Sequence, residues 1–371
     1  MDLSQLPQQI VNGLMLGGVY VMVAVAFTLI IGMLNFLNFT VPALFMLAAV
    51  LMWAILEGHG IALDLTAIAV LLVLGMMAAD RLQHAKLTAP LKTGAALGLA
   101  GAACIVVWLV ISLKPGDPVF AWLDDAAGKS GRWVVGIAVA LFTVAMLSLL
   151  IERFTYRYMK AKYGDATEHA LPLVSSLGFL IVIEHTVIST WGSDALTTAS
   201  PFGNASFTLG PVLFSVPQLI SLILSLAIVF GLSIMLRTTK LGRALRSIAE
   251  RPDTAPLMGV EVGRIVPVVY VIAGLLCAIA GILFTINYTT VDAYVGDTVA
   301  TVAIAGMVLG GLGNVWGAII GAMLIGMVEI MSIYAVGATF KKIPIWGLLL
   351  MILIVRPTGL FGHTAIGKGK F

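Results

Sequence analysis

The sequence has little charge, few cysteines and no basic residue near its start. Of its 371 residues, 11% are charged and 60% are hydrophobic, whereas soluble domains carry about a quarter charged residues. So little charge cannot cover a globule with polar surface. The two cysteines, Cys104 and Cys277, lie inside apolar runs, which argues against a disulfide framework or a cysteine metal site. The first Lys or Arg is Arg81, and we therefore expect no cleaved signal peptide.

Motifs for catalysis and nucleotide binding are also missing. The tripeptide Gly128-Lys129-Ser130 is similar to the end of a P-loop, but the first glycine of that motif would fall at Leu123. No His-Glu-x-x-His and no Gly-x-Ser-x-Gly occurs. We therefore predict that this chain has no catalytic residue, no metal ligand and no cofactor of its own. An ATP-driven step would require a partner ATPase.

Apolar runs of about 20 residues, the length that spans the hydrocarbon core, recur along the chain. They predict an all-α polytopic membrane protein with about 10 to 11 transmembrane helices, some short or broken, in a single domain. The span at 298–312 is short, so it is either a full crossing or a re-entrant or broken segment. The predicted spans are 10–33, 39–56, 61–79, 93–113, 133–151, 172–191, 216–236, 265–288, 298–312, 315–336 and 343–356.

The Lys and Arg residues of the loops predict the orientation. They crowd the loops at 152–162 and 237–264 and the C-terminal tail, and none occurs at 192–215 or 289–297. Because cytoplasmic loops carry the excess of Lys and Arg, the first set is predicted to be cytoplasmic and the second external. The N-terminus is then outside and the C-terminus cytoplasmic. The charges at 114–132 fit this scheme less well, and we interpret that stretch as a neutral external loop.

Residues 238–264 form a charged cytoplasmic loop far longer than two neighbouring helices need. Leu245 and Ile248 recur at helical spacing, which predicts an amphipathic continuation of the preceding membrane helix. After it, Pro252 suits the first turn of a helix and Gly259 the position after the last turn, so we predict a separate helix of about two turns. This short helix either docks into a groove of a partner or rests on lipid head groups.

This loop resembles the coupling loop of ABC importer permeases, in particular those of the branched-chain amino acid family. Each matching motif is weak alone, but five of them occur in the order typical of the family. The resemblance covers roughly residues 10–56 and 133–362. The motifs are "GVYVMVAVAFTLIIGMLNF" (18–36), "SLLIERFTYR" (148–157), "GRALRSIAERPDTAPLMG" (242–259), "VLGGLGNVWGAIIGAMLIGMVE" (308–329) and "RPTGLFG" (356–362).

The resemblance implies a permease in the inner membrane of a bacterium that carries a branched-chain or other hydrophobic amino acid, or a similar small solute. Its partners would be two ABC ATPases, which bind the ATP and Mg, an external solute-binding protein and a second permease chain. A related chain is favoured over a second copy, and no nucleic acid is implied. The segment 250–259 would dock on an ATPase. The residues implied in this contact are Arg243, Arg246, Glu250, Arg251, Pro252, Asp253, Leu257, Met258 and Gly259.

Three features depart from the family pattern. Pro256 falls inside the short helix, where it removes a hydrogen bond, so this helix must be short, kinked or 3₁₀-like. The stretch 37–40 reads Leu-Asn-Phe-Thr, where the family usually has a histidine, a glycine and an acidic residue. Residues 58–131 are predicted to be an extra helical hairpin relative to the family core.

Polar residues at membrane depth are candidates for the translocation path. Glu184 and His185 lie inside an apolar run, where a charge is costly, and they either flank the path or form a structural hydrogen bond between helices. Polar residues beside interrupted helices are where transporters bind their substrates, although ordinary helix capping is the alternative here. This second set is Asn35, Asn38, Thr40, Ser175 and Ser176. We interpret Glu329 as a structural brace.

Glycines recur at small-xxx-small spacing near 306–321, which predicts close helix contact, with a gate or a dimer seam as the alternative. The set is Gly306, Gly310, Gly313, Gly317 and Gly321. Two other functions stay open. The Glu184/His185 pair is compatible with a self-contained secondary transporter or channel, and a membrane-embedded enzyme would need a site that the sequence does not show.

Overall fold

In the computed structural model the described residues are 5–34, 36–84, 110, 112, 115–158, 170–198, 206–209, 212–250 and 254–362. This part of the chain is a helical bundle. Its helices are α1 (Leu6–Leu34), α2 (Thr40–Glu57), α3 (Ile61–His84), α4 (Gly116–Glu152), α5 (Ala170–Trp191), α6 (Val216–Thr238), α7 (Lys240–Glu250), α8 (Val262–Tyr288), α9 (Val295–Gly310), α10 (Val315–Val336) and α11 (Lys342–Val355).

Nine helical segments within the described residues are long and apolar enough to cross a membrane, and α9 is a shorter apolar helix. An apolar helix satisfies every backbone hydrogen bond within itself, which is why such runs fold this way in lipid. The predicted all-α polytopic class is confirmed. The predicted span at 93–113 lies outside the described residues except for 110 and 112. Whether 58–131 is additional to the family core stays a prediction.

The core is built around α2 and the middle of α1, whose residues are almost all buried, and α8, α9 and α10 pack against them. In contrast, α11 is largely exposed, with only Ile345 buried. Within the described residues, four short strands lie in the connections between helices. Strand β1 (Leu196–Thr197) pairs antiparallel with β4 (Thr290–Val291), and β2 (Ser206–Leu209) pairs antiparallel with β3 (Val212–Ser215).

Contacts between the loops show which loops lie at the same end of the bundle. At one end, which we call the hairpin end, β1 pairs with β4, and the indole nitrogen of Trp53 donates to the carbonyl of Thr197 (3.0 Å). At the other, the basic end, Arg157 donates to the carbonyl of Gly263 (2.8 Å). The described parts of the two loops without Lys or Arg therefore share one end, and the described parts of the loops at 152–162 and 237–264 share the other, as the charge pattern predicts. Which end faces the cytoplasm stays a prediction.

The stretch 116–132 is helical, and the prediction of a loop there was wrong. It forms nearly the first five turns of α4 (about 3.6 residues per turn). Helix α4 then continues as a π-helix at Arg153–Arg157. Asp117 stabilises the positive N-terminal end of α4. Arg132 makes a bidentate pair with Asp124, two turns earlier on the same face, at 2.6 and 2.8 Å. Two of the charges that suggested a loop, Asp124 and Arg132, are thus partners within one helix.

The C-terminal motif 356–362 closes on the turn between α9 and α10. The amide nitrogens of Leu360 and Phe361 donate to the carbonyls of Leu309 (2.9 Å) and Gly310 (3.0 Å). The side chain of Asn314 donates to the carbonyl of Phe361 (2.9 Å) and caps α10 by accepting from Trp316 and Gly317. Two of the five sequence motifs therefore hold each other at the basic end.

Replacing Asn314 with alanine should lower the free energy of unfolding by about 1–2 kcal/mol, because the cap and the bond to Phe361 are both lost. The measurement is thermal unfolding of the detergent-solubilised chain. Ser215 is the matched control, since it occupies the N-cap of α6 without a side-chain capping bond. Ser215→Ala should be nearly neutral, and an equal loss in both variants would contradict the role of Asn314.

Candidate functional site

The charged loop between α6 and α8 lies at the basic end and begins with a sharp reversal. Helix α6 ends at Thr238, Thr239 is extended, and α7 begins at Lys240. The predicted continuation of the membrane helix is therefore wrong. The reversal depends on Gly242, because a Cβ at this position would overlap the backbone of Leu236.

Two arginines of α7 hold it against the end of α6. Arg246 donates to the carbonyl of Leu236 (2.6 Å), and Arg243 donates to the carbonyl of Thr238 (3.4 Å). Free carbonyls at the C-terminal end of a helix attract cations, so these contacts fasten α7 to the bundle. Leu245 and Ile248 are buried on the inner face of α7. Whether either arginine also contacts lipid or a partner stays a prediction.

The second part of the loop is a 3₁₀ turn at Ala255–Met258, as the position of Pro256 predicts. Gly259 has φ of 79°, and its amide donates to the carbonyl of Pro256 (3.0 Å), while the amide of Val260 donates to the carbonyl of Ala255 (3.2 Å). Gly259 therefore occupies the position after the turn, as predicted. The short helix is smaller than the predicted 250–259, because Glu250 is the last residue of α7. Arg251, Pro252 and Asp253 lie outside the described residues.

The 3₁₀ turn projects two apolar side chains away from the bundle. Leu257 and Met258 are each 83% exposed, the largest exposure among the exposed large hydrophobic residues described. Ala255, one turn earlier in sequence, is buried and anchors the turn. Leu257 and Met258 therefore form an exposed apolar projection on an anchored turn, which we call the apolar tip.

The interruption between α1 and α2 lies deep in the bundle. Thr285 of α8 contacts the carbonyl of Ala49 (3.3 Å), and a Cβ at Gly281 would overlap the carbonyl of Phe45. Helices α2 and α8 therefore run side by side in the same direction. Counting back at about 1.5 Å per residue, α2 begins about 20 Å further into the bundle than α8. Non-helical backbone at such depth occurs where it is buried in protein or lines a cavity.

Three candidate path residues meet at this interruption. Asn38, Thr40 and Ser176 are fully or almost fully buried. Asn38 Oδ1 accepts from the amide (2.9 Å) and the hydroxyl (2.7 Å) of Thr40, and Ser176 Oγ accepts from the amide of Phe39 (3.1 Å). Asn38 Nδ2 has no hydrogen-bond partner among the described residues. Ser175 is only half-buried on α5, and Asn35 lies outside the described residues.

Glu184 and His185 do not join this cluster. They lie on α5 about 12 Å beyond Ser176 along the helix. Glu184 is half-buried and close enough to Asp297 of α9 for the two carboxylates to interact electrostatically, whereas His185 is exposed and contacts the carbonyl of Ile181 (3.0 Å). The proximity of Asp297 was not predicted, because the two residues are far apart in sequence. No three His, Cys, Asp or Glu side chains in the described part are grouped to hold a metal ion.

Comparison with known proteins identifies the family. A family model described as the permease component of a branched-chain amino acid transport system matches residues 9–356. The chain belongs to this family. It is 26% identical over 367 residues to the high-affinity branched-chain amino acid transport system permease protein BraD of Pseudomonas aeruginosa, with 97% of each chain covered. For LivH of Escherichia coli K12 the identity is 25% over 366 residues, with the same coverage.

The resemblance inferred from the five motifs is therefore confirmed: the chain is a transport permease. A shorter match exists to the fructose import permease protein FruG of Bifidobacterium longum. There the identity is 30% over 164 residues, which is 42% of this chain and 46% of FruG. No solved structure matches the chain.

The glycines of this permease lie where α9 and α10 touch. A Cβ on Gly306 would come within 2.6 Å of the Cα of Ala322, and Gly310 and Gly317 lie backbone to backbone. Gly321 packs on the carbonyl of Gly306, while Gly313 has φ of 80° in the turn between the helices. Small residues thus allow two helices to approach closely. A gate or a dimer seam along this surface stays a prediction.

Glu329 of the permease is a buried acid with two partners. Tyr20 donates to its Oε2 (2.7 Å), and Lys341 lies 2.6 Å from its Oε1. The pair ties α1, α10 and the turn before α11 together, which agrees with the predicted brace. Sequence reasoning missed Lys341 as the partner. The sequence did contain a signal for this partner, because a buried acid requires a nearby cation and Lys341 lies twelve residues after Glu329.

Proposed function

We propose that this permease is the membrane subunit of an ABC importer for a branched-chain or other hydrophobic amino acid. Family membership and the printed names of BraD and LivH support this substrate class. An external binding protein would deliver the solute at the hairpin end, and partner ATPases in the cytoplasm would drive the cycle from the basic end. The membrane would be the inner membrane of a bacterium.

The observation that carries the proposal is the apolar tip at Leu257 and Met258. Leu257 and Met258 are adjacent and strongly exposed at the basic end, and a small apolar turn of this kind suits a groove on another protein. The tip belongs to the loop whose arginines and buried leucine fasten it to α6, so a push on the tip reaches the bundle. An ATPase that closes on ATP would thereby alternate the access of the path.

Two ATPases imply two docking sites, and this chain offers one such tip within the described residues. A second permease chain would provide the other, and we infer a related chain rather than a second copy. The exposed face of α5 is suited to this contact. It carries His185, Thr186 and Ser189 among apolar residues, and polar residues at membrane depth face protein or water rather than lipid.

The test of the proposal is uptake of leucine into proteoliposomes that contain this chain with its ATPase, its second permease and its binding protein. Uptake should require ATP and the binding protein, because the chain has no nucleotide site of its own. ATP-independent uptake by the chain alone would instead support the secondary transporter. Fructose uptake measured in parallel distinguishes an amino acid importer from a sugar importer such as FruG.

The path would pass the interruption between α1 and α2. Asn38 supports this, because its Nδ2 is a buried donor without a partner and can bond the carboxylate of an amino acid. Asn38→Asp keeps the acceptor for Thr40 but replaces this donor with an acidic oxygen, so leucine uptake should fall about tenfold, the effect of one charged hydrogen bond. Co-purification of the ATPase should not change.

Asn287→Asp is the matched control, since the Asn287 amide already donates to Ser221 (2.9 Å) outside this segment. Its uptake should stay within about twofold of the unmodified chain, well below the effect of a hydrogen bond to a charged group. Equal uptake in both variants would contradict the proposal that Asn38 lies on the path.

A further inference from the structure

A buried polar seam lies between α4 and α8 near the basic end. Ser148, Glu152 and Thr155 are spaced so that they share one face of α4 and its π-helical extension. Their exposed fractions are 0%, 3% and 0%. This face packs against α8. The seam is a row of polar groups removed from water.

The register of the two helices places Tyr270 opposite Glu152. A Cβ on Gly274 would overlap Ser148, and Arg157 bonds the carbonyl of Gly263. The two helices are therefore antiparallel, with Ser148 of α4 level with Gly274 of α8. Toward the basic end, Glu152 lies one turn from Ser148 on α4 and Tyr270 lies one turn from Gly274 on α8. Glu152 and Tyr270 are therefore at the same level. The Glu152 carboxylate is close enough to act electrostatically on the Tyr270 hydroxyl.

The polar groups of the seam are incompletely bonded. Tyr270 is 2% exposed, and neither its hydroxyl nor that of Thr155 has a hydrogen-bond partner among the described residues. Arg157 Nε lies 3.9 Å from Glu152 Oε1, beyond hydrogen-bond distance. A buried hydroxyl without a partner destabilises the state that contains it, and a phenylalanine would fill almost the same volume without that cost.

The seam lies where movement of the apolar tip enters the bundle. Gly263, the partner of Arg157, follows the tip by only a few residues in the first turn of α8. On the other side, the π-helix at Arg153–Arg157 begins directly after Glu152. Single π-turns inside α-helices are frequent at functional sites. A push on the tip would therefore reach α8 within a few residues of Tyr270.

We propose that Tyr270 and Glu152 are positioning residues for coupling: the Tyr270 hydroxyl, unpartnered in this state, donates to the Glu152 carboxylate in the other state of the transport cycle. This bond forms only when α8 has moved along α4. It stabilises the second state relative to the first, so ATP hydrolysis and solute movement stay linked. The inference rests on the proposed function.

The test uses the complete assembly of both permeases, ATPases and binding protein in proteoliposomes. Tyr270→Phe should leave the melting temperature equal or higher, because it removes an unpartnered hydroxyl. Leucine transported per ATP hydrolysed should fall about fivefold, the factor that one net hydrogen bond is worth. Tyr288→Phe, the same change at the opposite end of α8, is the control and should keep the ratio of the unmodified chain.

Glu152→Met, which removes the acceptor and keeps a similar volume, should lower the same ratio, and the double variant should lose no more than either single one, because both changes remove one bond. A ratio unchanged in Tyr270→Phe would overturn the proposal, as would a parallel loss of stability and uptake, which indicates a merely structural role. If the unmodified assembly shows no ATP-dependent uptake, the proposed function fails instead, which separates the two claims.

Discussion

Replacing Met258 with aspartate should abolish co-purification of the ATPase with this permease. A carboxylate at the centre of an apolar contact must be desolvated without a partner. Residues at the centre of an interface carry most of its binding energy, so we expect affinity to fall about thirtyfold or more. ATP-driven uptake should fall with it, whereas the melting temperature should not change, because Met258 is 83% exposed.

Phe340→Asp is the matched control. Phe340 is also an exposed apolar residue of a 3₁₀ turn, at 54% exposure, but it lies beyond the hairpin end of α10. ATPase co-purification should be unchanged in this variant. A loss in both variants would mean that the charge disturbs the chain in general, and retention in both would mean that the tip is not the docking site.

Replacing Gly317 with alanine should lower the free energy of unfolding of the chain. The added Cβ would overlap the carbonyl oxygen of Gly310 and lie 2.8 Å from its carbonyl carbon, so α9 and α10 must separate. Overpacking of this kind costs about 1–3 kcal/mol and occasionally more. The measurement is thermal unfolding of the solubilised chain.

Gly231 provides a control in which the same substitution should raise the free energy of unfolding. It lies inside α6 with no atom within 4 Å of an added Cβ. Gly231→Ala should stabilise the chain by about 0.5–1 kcal/mol, because alanine is the better helix former. If both variants shift the melting temperature in the same direction, the contact between α9 and α10 is not what the glycines provide.

The sequence predicted most spans because apolar length alone decides whether a helix can cross a membrane. It also predicted that the segment before Gly259 is short, kinked or 3₁₀-like, because Pro256 and Gly259 act through their own backbone geometry. The reversal between α6 and α7 was missed, since Thr239, where it occurs, is neither Gly nor Pro, and Gly242 three residues later does not by itself indicate a turn. It depends instead on the fit of Gly242 against Leu236, a contact that exists only in the folded chain.

The candidate path was predictable only in part. Asn38, Thr40 and Ser176 were predicted as path residues because they lie beside interrupted helices. They are close together in the structure because α2 begins deep in the bundle. Glu184 was named for its charge, but its neighbour Asp297 comes from another helix. Tyr270 and Glu152 were not named at all, because a tyrosine in an apolar run gives no sign that its hydroxyl lacks a partner. Such pairings depend on helix register.

The most direct test of the docking claim is cross-linking in native membranes from cells that express the whole assembly. A Met258→Cys chain in which Cys104 and Cys277 are replaced by alanine would be treated with a short thiol-to-amine cross-linker. We predict a product that contains this permease and the ATPase, and none from the Phe340→Cys chain. Reaction of position 258 with membrane lipid amines, without any ATPase product, would contradict the account.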